Sequence, residues 1–203
     1  MAVVNGYCTL AEVKAALRIT DSVDDALIEL SIGAASREID GVCNRVFYST
    51  SATRVYNTDS AFLLQTDDIV SVTTLKTSIN GNTYDTTWAT SDFQLEPLNG
   101  VTGGIDSPAT RIRAVGDYLF PVWAVTGTYT NFAPVQIVGV FGWSAIPVAV
   151  KQAAIILAMR QFKRYDSPLG IAGGFGDMGA MRVGRVDPDV EALLMPFKKA
   201  VSS

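Results

Sequence analysis

The 203-residue sequence contains no histidine. That absence excludes Ser-His-Asp and Cys-His catalysis, histidine-ligated zinc and the usual proton shuttle near neutral pH. Cysteine is almost as scarce. Cys8 and Cys43 lie far apart and lack metal-ligand spacing, which leaves two reduced, buried thiols as the default and a disulfide as the alternative. No GxxxxGK[ST] run occurs, so no P-loop is present. Charge is thin: 18% of residues are charged, against about 25% in an average soluble protein. Such a chain either buries much of its surface against other proteins or carries Thr and Ser on a β-rich exterior. Residues 1–150 hold 8 basic and 15 acidic side chains, and residues 151–203 hold 8 and 5, for a net charge of −4. No basic stripe of the kind that duplex DNA binding requires is visible. The most apolar stretch, Val135 to Met159, is interrupted by Gln136, Ser144, Pro147, Lys151 and Gln152 and does not read as a membrane span. A charged helical pattern is under way by Glu12, without a signal-peptide profile, so a soluble protein made inside the cell is expected.

What is present falls into three textures. Thr9-Leu10-Ala11-Glu12 is a capping box followed by Leu10, Val13 and Leu17 on one helical face. Ser22-Val23-Asp24-Asp25 starts a longer helix with two adjacent apolar stripes, Leu27, Leu30 and Ala34 beside Ile28, Ile32, Ala35 and Ile39. A face that wide predicts a helix covered on more than one side. From Arg45 to Val140 the chain turns to short β-type runs: TRVY, FLL, IVSVTTLKT, TRIRAV and VQIVGVF. Asn80-Gly81 signals a hairpin, and residues 98–108 read as a long flexible loop. Helix returns near Pro147 and stops before Pro168, and Asp187-Pro188-Asp189 opens a last helix carrying Val190, Leu193, Leu194 and Phe197 on one face. The predicted class is α+β: a helical core formed by residues 1–46 and 143–203, with a mostly antiparallel β-domain, 47–142, inserted between them.

The run GGFGDMG at 173–179 contains GxGxxG in Gly174, Gly176 and Gly179. A dinucleotide fingerprint needs a strand before it and a helix after it. Here a helix precedes it and a strand-like run, AMRVGRV, follows. The spacing therefore does not predict a nucleotide site. Glycines also serve where a chain extends or approaches another backbone, and a glycine-rich arm ending in a strand suits docking onto a partner's sheet edge. An ordinary surface loop is the alternative.

The segment TLAEVKAALRITDSVDDALIELSIGAASREIDGVCNRVF resembles the two-helix start of the head–tail connector (adaptor) proteins of long-tailed bacteriophages. Its T-x-x-E-x-K-x-x-L helix, D-D-x-L-I helix start and A-S-x-x-I-D run carry the likeness. IPVAVKQAAIILAMRQFKRYDSPLG followed by FGDMGAMRVGRVDPDVEALLMPF is similar to the closing region of the longer adaptors that bear a β-insert. The resemblance covers residues 9–48 and 143–199, and is loose in between. It implies a structural protein of the virion neck with no enzymatic activity, no cofactor and no metal. It further implies a homo-oligomeric ring, normally of twelve copies, beneath the portal protein. Such a ring extends the DNA channel, which DNA passes without specific binding, and gives a downstream neck, stopper or tail protein its seat. An acidic body suits a channel that must not hold DNA.

On that reading the portal contact falls on the arm: Gly173, Gly174, Phe175, Gly176, Met178, Met181, Arg182, Val183 and Arg185. Arg182 and Arg185 either pair with portal acids or remain solvated charges. Candidate subunit-interface residues are the acids Asp21, Asp24 and Asp25 and the bases Arg160, Lys163 and Arg164. The alternative for each group is a helix end charged to suit its own dipole. Trp88, Trp123 and Trp143 read either as core or as interface anchors. Asp67-Asp68 lacks the surroundings of a catalytic pair. The competing functional reading is a small β-domain that binds a ligand or host surface from a helical scaffold.

Overall fold

The computed structural model describes residues 3–79, 83–122, 133–165 and 187–199. The chain divides into two compact units, Met1–Val46 with Ile146–Ser203, and Phe47–Ala145.

The first unit is helical. Helix α1, Leu10–Leu17, starts on the expected capping box: the Thr9 hydroxyl accepts the Glu12 amide, and the Glu12 carboxylate accepts the Thr9 amide. Helix α2, Asp25–Cys43, begins at Asp24, whose side chain makes no capping bond, so the second predicted cap is a turn without a side-chain seal. Helix α3, Val148–Lys163, has Pro147 as its cap, one place before the expected first turn. Helix α4, Pro188–Leu194, is capped by the Asp187 carboxylate on the Asp189 amide and runs into a 3-10 turn, Met195–Phe197.

Burial follows the helical period. Ile28, Ile32, Ala35, Ile39 and Cys43 of α2 face the interior, as do Val150, Ala153, Ala154, Leu157, Ala158 and Phe162 of α3. The alanines let the two backbones approach, and the larger side chains fill the space on either side. Lys151, near the start of α3, reaches Glu12 at 3.0 Å, and Gln161, near its end, reaches Glu38 at 2.9 Å. These contacts set the start of α3 beside α1 and its end beside the second half of α2. Val190, Leu194 and Phe197 complete the core, and the Lys199 amide donates to the Cys43 carbonyl at 2.9 Å, satisfying one orphan acceptor at the end of α2.

The second unit is an antiparallel sheet. Its strands are β1 (Thr50–Tyr56), β2 (Leu63–Thr77), β3 (Thr86–Trp88), β4 (Phe93–Glu96), β5 (Val101–Thr102), β6 (Ile105–Asp106), β7 (Ala109–Ala114) and β8 (Val135–Phe141). The main sheet has the order β1-β8-β2-β7-β4, with β3 also on β2. The two runs FLL and IVSVTTLKT belong to one long strand, interrupted by a register shift between Gln65 and Ile69. Strand β8 alternates perfectly, burying Val135, Ile137, Gly139 and Phe141. Residues 98–108, expected to be a flexible loop, instead hold the β5–β6 hairpin. Its turn glycines, Gly103 and Gly104, take φ values of 63° and 82°, the left-handed geometry that a two-residue hairpin demands. The Asn80-Gly81 turn lies outside the described residues, but β2 and β3, on either side of it, do pair antiparallel.

The α+β class with an antiparallel insert is thus the observed one. Among the described residues no helix is long and apolar enough to cross a membrane.

First and last strands of the sheet unit lie side by side, with Thr50 opposite Phe141. Just beyond that pair, Gly142 has φ 100°, and a Cβ on it would sit 1.9 Å from the Tyr48 carbonyl oxygen. Gly142→Ala is therefore expected to lower unfolding free energy by about 2 kcal/mol or more. Gly41→Ala, in α2 with nothing within 4 Å, should raise it by about 0.5–1 kcal/mol. Chemical denaturation of the two variants beside the parent chain checks both signs.

Candidate functional site

The acids proposed for contact between subunits gather at the start of α2. Lys14 of α1 bridges two of them, donating to the Asp21 carbonyl and to the Asp25 carboxylate, the latter at 2.5 Å. The Asp21 carboxylate accepts the Val23 amide at 3.0 Å. Asp25 therefore serves the α1–α2 turn, while Asp21 is exposed and Asp24 half-buried. The bases gather at the end of α3. Arg160 lies 3.9 Å from Asp187 and so ties α3 to the cap of α4. Lys163 and Arg164 are exposed and carry no ion pair among the described residues. Because α3 ends beside Glu38, in the second half of α2, the acidic and basic groups occupy opposite ends of the helical unit. They are two poles, not one cluster.

Between the poles runs a surface that the sequence analysis assigned wrongly. The stripe Leu27, Leu30 and Ala34 was expected to be covered along with its neighbour. Only the Ile28–Ile32–Ala35–Ile39 stripe is covered, and Leu30 remains 61% exposed. Leu30 and Ala34 of the open stripe line a groove of about 620 Å³ together with Val3, Val4, Glu29 and Arg37, so one acid and one cation border its otherwise mostly apolar surface. Its N-terminal wall is fixed from below. The Tyr7 amide donates to the Ser36 hydroxyl at 3.0 Å, the Tyr7 hydroxyl donates to the Asp40 carboxylate, and Arg37 donates to the Asn5 carbonyl at 2.9 Å. Burial pushes the Asp40 carboxyl up, opposed by the bond from Tyr7 and the charge of Arg37. The period of α2 held the signal for this groove. What it lacked was any sign that the chain would leave the second stripe uncovered.

Other candidates resolve into structure. The adjacent carboxylates of Asp67 and Asp68 diverge: Asp67 is exposed and takes Arg54 at 2.6 Å, whereas Asp68 is buried and accepts the Trp143 indole at 3.2 Å. Arg54 also lies 4.3 Å from the centre of the Phe141 ring. Trp88 stacks on Phe120 at 4.7 Å, and Trp143 packs on Phe47 at 5.3 Å, so both are core rather than anchors. Trp123 lies outside the described residues. So does the whole arm, with Gly173, Gly174, Phe175, Gly176, Met178, Met181, Arg182, Val183 and Arg185. A smaller depression on the sheet unit, about 320 Å³ and bordered by Leu95, Pro97, Asp106, Ser107 and Ser144, mixes polar and apolar walls. No group of three or more Cys, Asp or Glu suited to a metal occurs among the described residues.

Residues 7–86 match the family described as phage gp6-like head-tail connector proteins. The whole chain also matches solved structures. A chain from the neck of an empty gene transfer agent particle, computed with sixfold symmetry, aligns over 100% of this chain and 95% of its own length at 22% identity and a TM-score of 0.58. The neck of the native particle, computed with twelvefold symmetry, aligns over 100% and 94% at 21% identity and the same score. Comparison with curated proteins gave no match. The resemblance to head–tail connectors read from the sequence is borne out by that family match over residues 7–86.

Both cysteines are free and buried, and burial is the main cause that pushes each thiol up to about 11. The thiolate is the reactive form, so Cys8 and Cys43 should resist a disulfide-exchange reagent at pH 8 in the folded protein and both react after denaturation. A raised folded pKa favours the fold while the unfolded thiol is protonated. That stabilisation should fall away as pH rises from about 9 towards about 11, which an alkaline denaturation series would register.

Proposed function

We propose that this chain is a head–tail adaptor, a non-enzymatic subunit of a ring beneath a portal protein in a virion neck. The carrying observation is the joint match: the connector family over residues 7–86 and neck chains over the full length. The sixfold and twelvefold symmetry of those necks supports a ring, with twelve copies as the expected number. In this reading the two units divide the work. The helical unit packs sideways, using Asp21, Asp24 and Asp25 on one side and Arg160, Lys163 and Arg164 on the other. The Gly173–Val186 arm grips the portal, with Met181 and Val183 on one side of an added strand and Arg182 and Arg185 available to acids. The sheet unit presents the β5–β6 hairpin to the next neck, stopper or tail component.

DNA passes through such a ring without specific binding. The excess of 15 acidic over 8 basic side chains in residues 1–150 supports that, since like charge discourages adhesion to a polyanion. The chain needs no cofactor for any of this.

Mixed with its cognate portal and imaged by electron microscopy, the protein should form a ring stacked coaxially on the portal. Deleting residues 173–186 should spare the helical circular-dichroism signal and abolish portal association. A deletion variant that still joins the portal would sink the arm assignment, and protein and portal that stay apart across a range of salt would sink the adaptor reading.

A further inference from the structure

Ahead of α1 the chain lies along α2 as a strap. It follows one row of that helix, Ile32, Ser36 and Asp40, which recur four residues apart. At Gly6 a Cβ would sit 3.2 Å from the Ile32 side chain, so a bare backbone is what lets the strap seat this closely. One residue on, the Tyr7 amide donates to the Ser36 hydroxyl at 3.0 Å, and the Tyr7 hydroxyl donates to the Asp40 carboxylate. Arg37 then closes over the outside. Its guanidinium donates to the Asn5 carbonyl at 2.9 Å, lies 5.6 Å from the centre of the Tyr7 ring and pairs with Asp40 at 3.1 Å. The strap is thus held between a row of α2 and a cation from the same helix.

Residues 3–8 belong to no helix or strand, and only Tyr7 and Cys8 among them are buried; Val4 and Asn5 are exposed. Asn5 also sits at φ 56°, a left-handed conformation that costs a residue other than glycine some free energy. Closure of the strap therefore leans on polar ties, and the charge-assisted ones converge on Arg37 and Asp40. Its far end is fixed. The Thr9 amide donates to Glu12 at 2.8 Å and the Thr9 hydroxyl accepts the Glu12 amide, so movement stops where α1 starts. A segment with few buried apolar contacts can open at less cost than the unit that carries it. We propose that residues 3–8 form a strap clasped by Arg37, which opens about Thr9 while α2 and α3 stay packed. Val3 and Val4 border the groove on α2 only while the strap is down. Opening uncovers Ser36 and Asp40 and turns that groove into a broad open face. The strap thereby sets which of two surfaces α2 shows, within a single copy and whatever ring the copies form.

Amide hydrogen exchange of the full chain reads the opening without any substitution. The Tyr7 amide should be less protected than the amides of Ile32, Ala35 and Ile39, which exchange only when α2 itself opens. Equal protection would mean that the strap opens only with the whole unit, and the proposal would fall. The clasp is read by thiol chemistry, with the buried Cys43 at the end of α2 as internal control. Arg37→Ala alters an exposed side chain and should speed the reaction of Cys8 with a disulfide-exchange reagent by at least about tenfold, the effect of losing one charge-assisted hydrogen bond. Cys43 should stay as slow as in the parent chain. Tyr7→Phe, which removes the bond to Asp40, should likewise speed Cys8 and not Cys43. If Cys8 in Arg37→Ala is no faster than in the parent, Arg37 is no clasp. If Cys8 and Cys43 speed up together, the unit has loosened as a whole and no separate strap exists. Either result overturns the proposal.

Discussion

The helical unit depends on one non-local contact, that of α2 with α3. These helices are separated by the entire sheet unit, yet they supply most of the unit's interior: the Ile28–Ile39 stripe on one side and the alanine-rich face of α3 on the other. Neither helix has an equivalent partner close to it in sequence. Helix α1 is short, and only Val13 of it is buried. Helix α4 is shorter still and reaches the core by Val190, Leu194 and Phe197. Both are fixed by groups that already belong to the central pair. Glu12 meets Lys151, Asp187 meets Arg160, and the backbone of Lys199 meets that of Cys43. The Thr9 amide and Lys151 together hold the Glu12 carboxyl below its ordinary range, the amide having the larger effect. Without the α2–α3 contact these ties would join elements that individually bury too little to persist.

The central pair was legible because it is periodic. Ile28, Ile32, Ala35 and Ile39, and Val150, Ala154, Leu157 and Ala158, repeat at helical spacing over several turns. The capping box at Thr9–Glu12 was legible because its chemistry is local. Strand β8 was readable for the same reason, as alternation over seven residues leaves few other solutions. Failures cluster where tertiary context decides. Strands β3 and β4 are three and four residues long and carry no alternation of their own. They exist because β2 and β7 offer them an edge. The join of FLL to IVSVTTLKT passes through a bulge in which the consecutive residues Asp68 and Ile69 are both buried, which breaks the period a reader would follow.

The candidate site shows the same division. Each charged group was visible as a helix end, and each does in part what helix-end charges ordinarily do: Asp25 is spent on Lys14 and Arg160 on Asp187. The residues beside them, Asp21 and Asp24 at one pole and Lys163 and Arg164 at the other, carry no ion pair among the described residues. The apolar groove between them was hidden in plain periodicity. A stripe that is apolar reads as core, and sequence does not distinguish a core supplied by the same chain from one supplied by another molecule. The exposure of Leu30 shows that this chain leaves the stripe open.

The pairing of β1 with β8 has a consequence for how the chain can change over evolutionary time. An insert whose first and last strands are neighbours returns the chain to within a strand spacing of where it left, about 5 Å. For the helical unit, the long excursion from Phe47 to Ala145 then behaves as a tight turn, and closing α2 onto α3 costs little more than closing a short loop. Size, loop lengths and surface chemistry of such an excursion are free to drift, shrink or be exchanged for another module with adjoining ends. The helices would register none of it. A lineage can in this way keep one assembly core and re-equip it for successive neighbours.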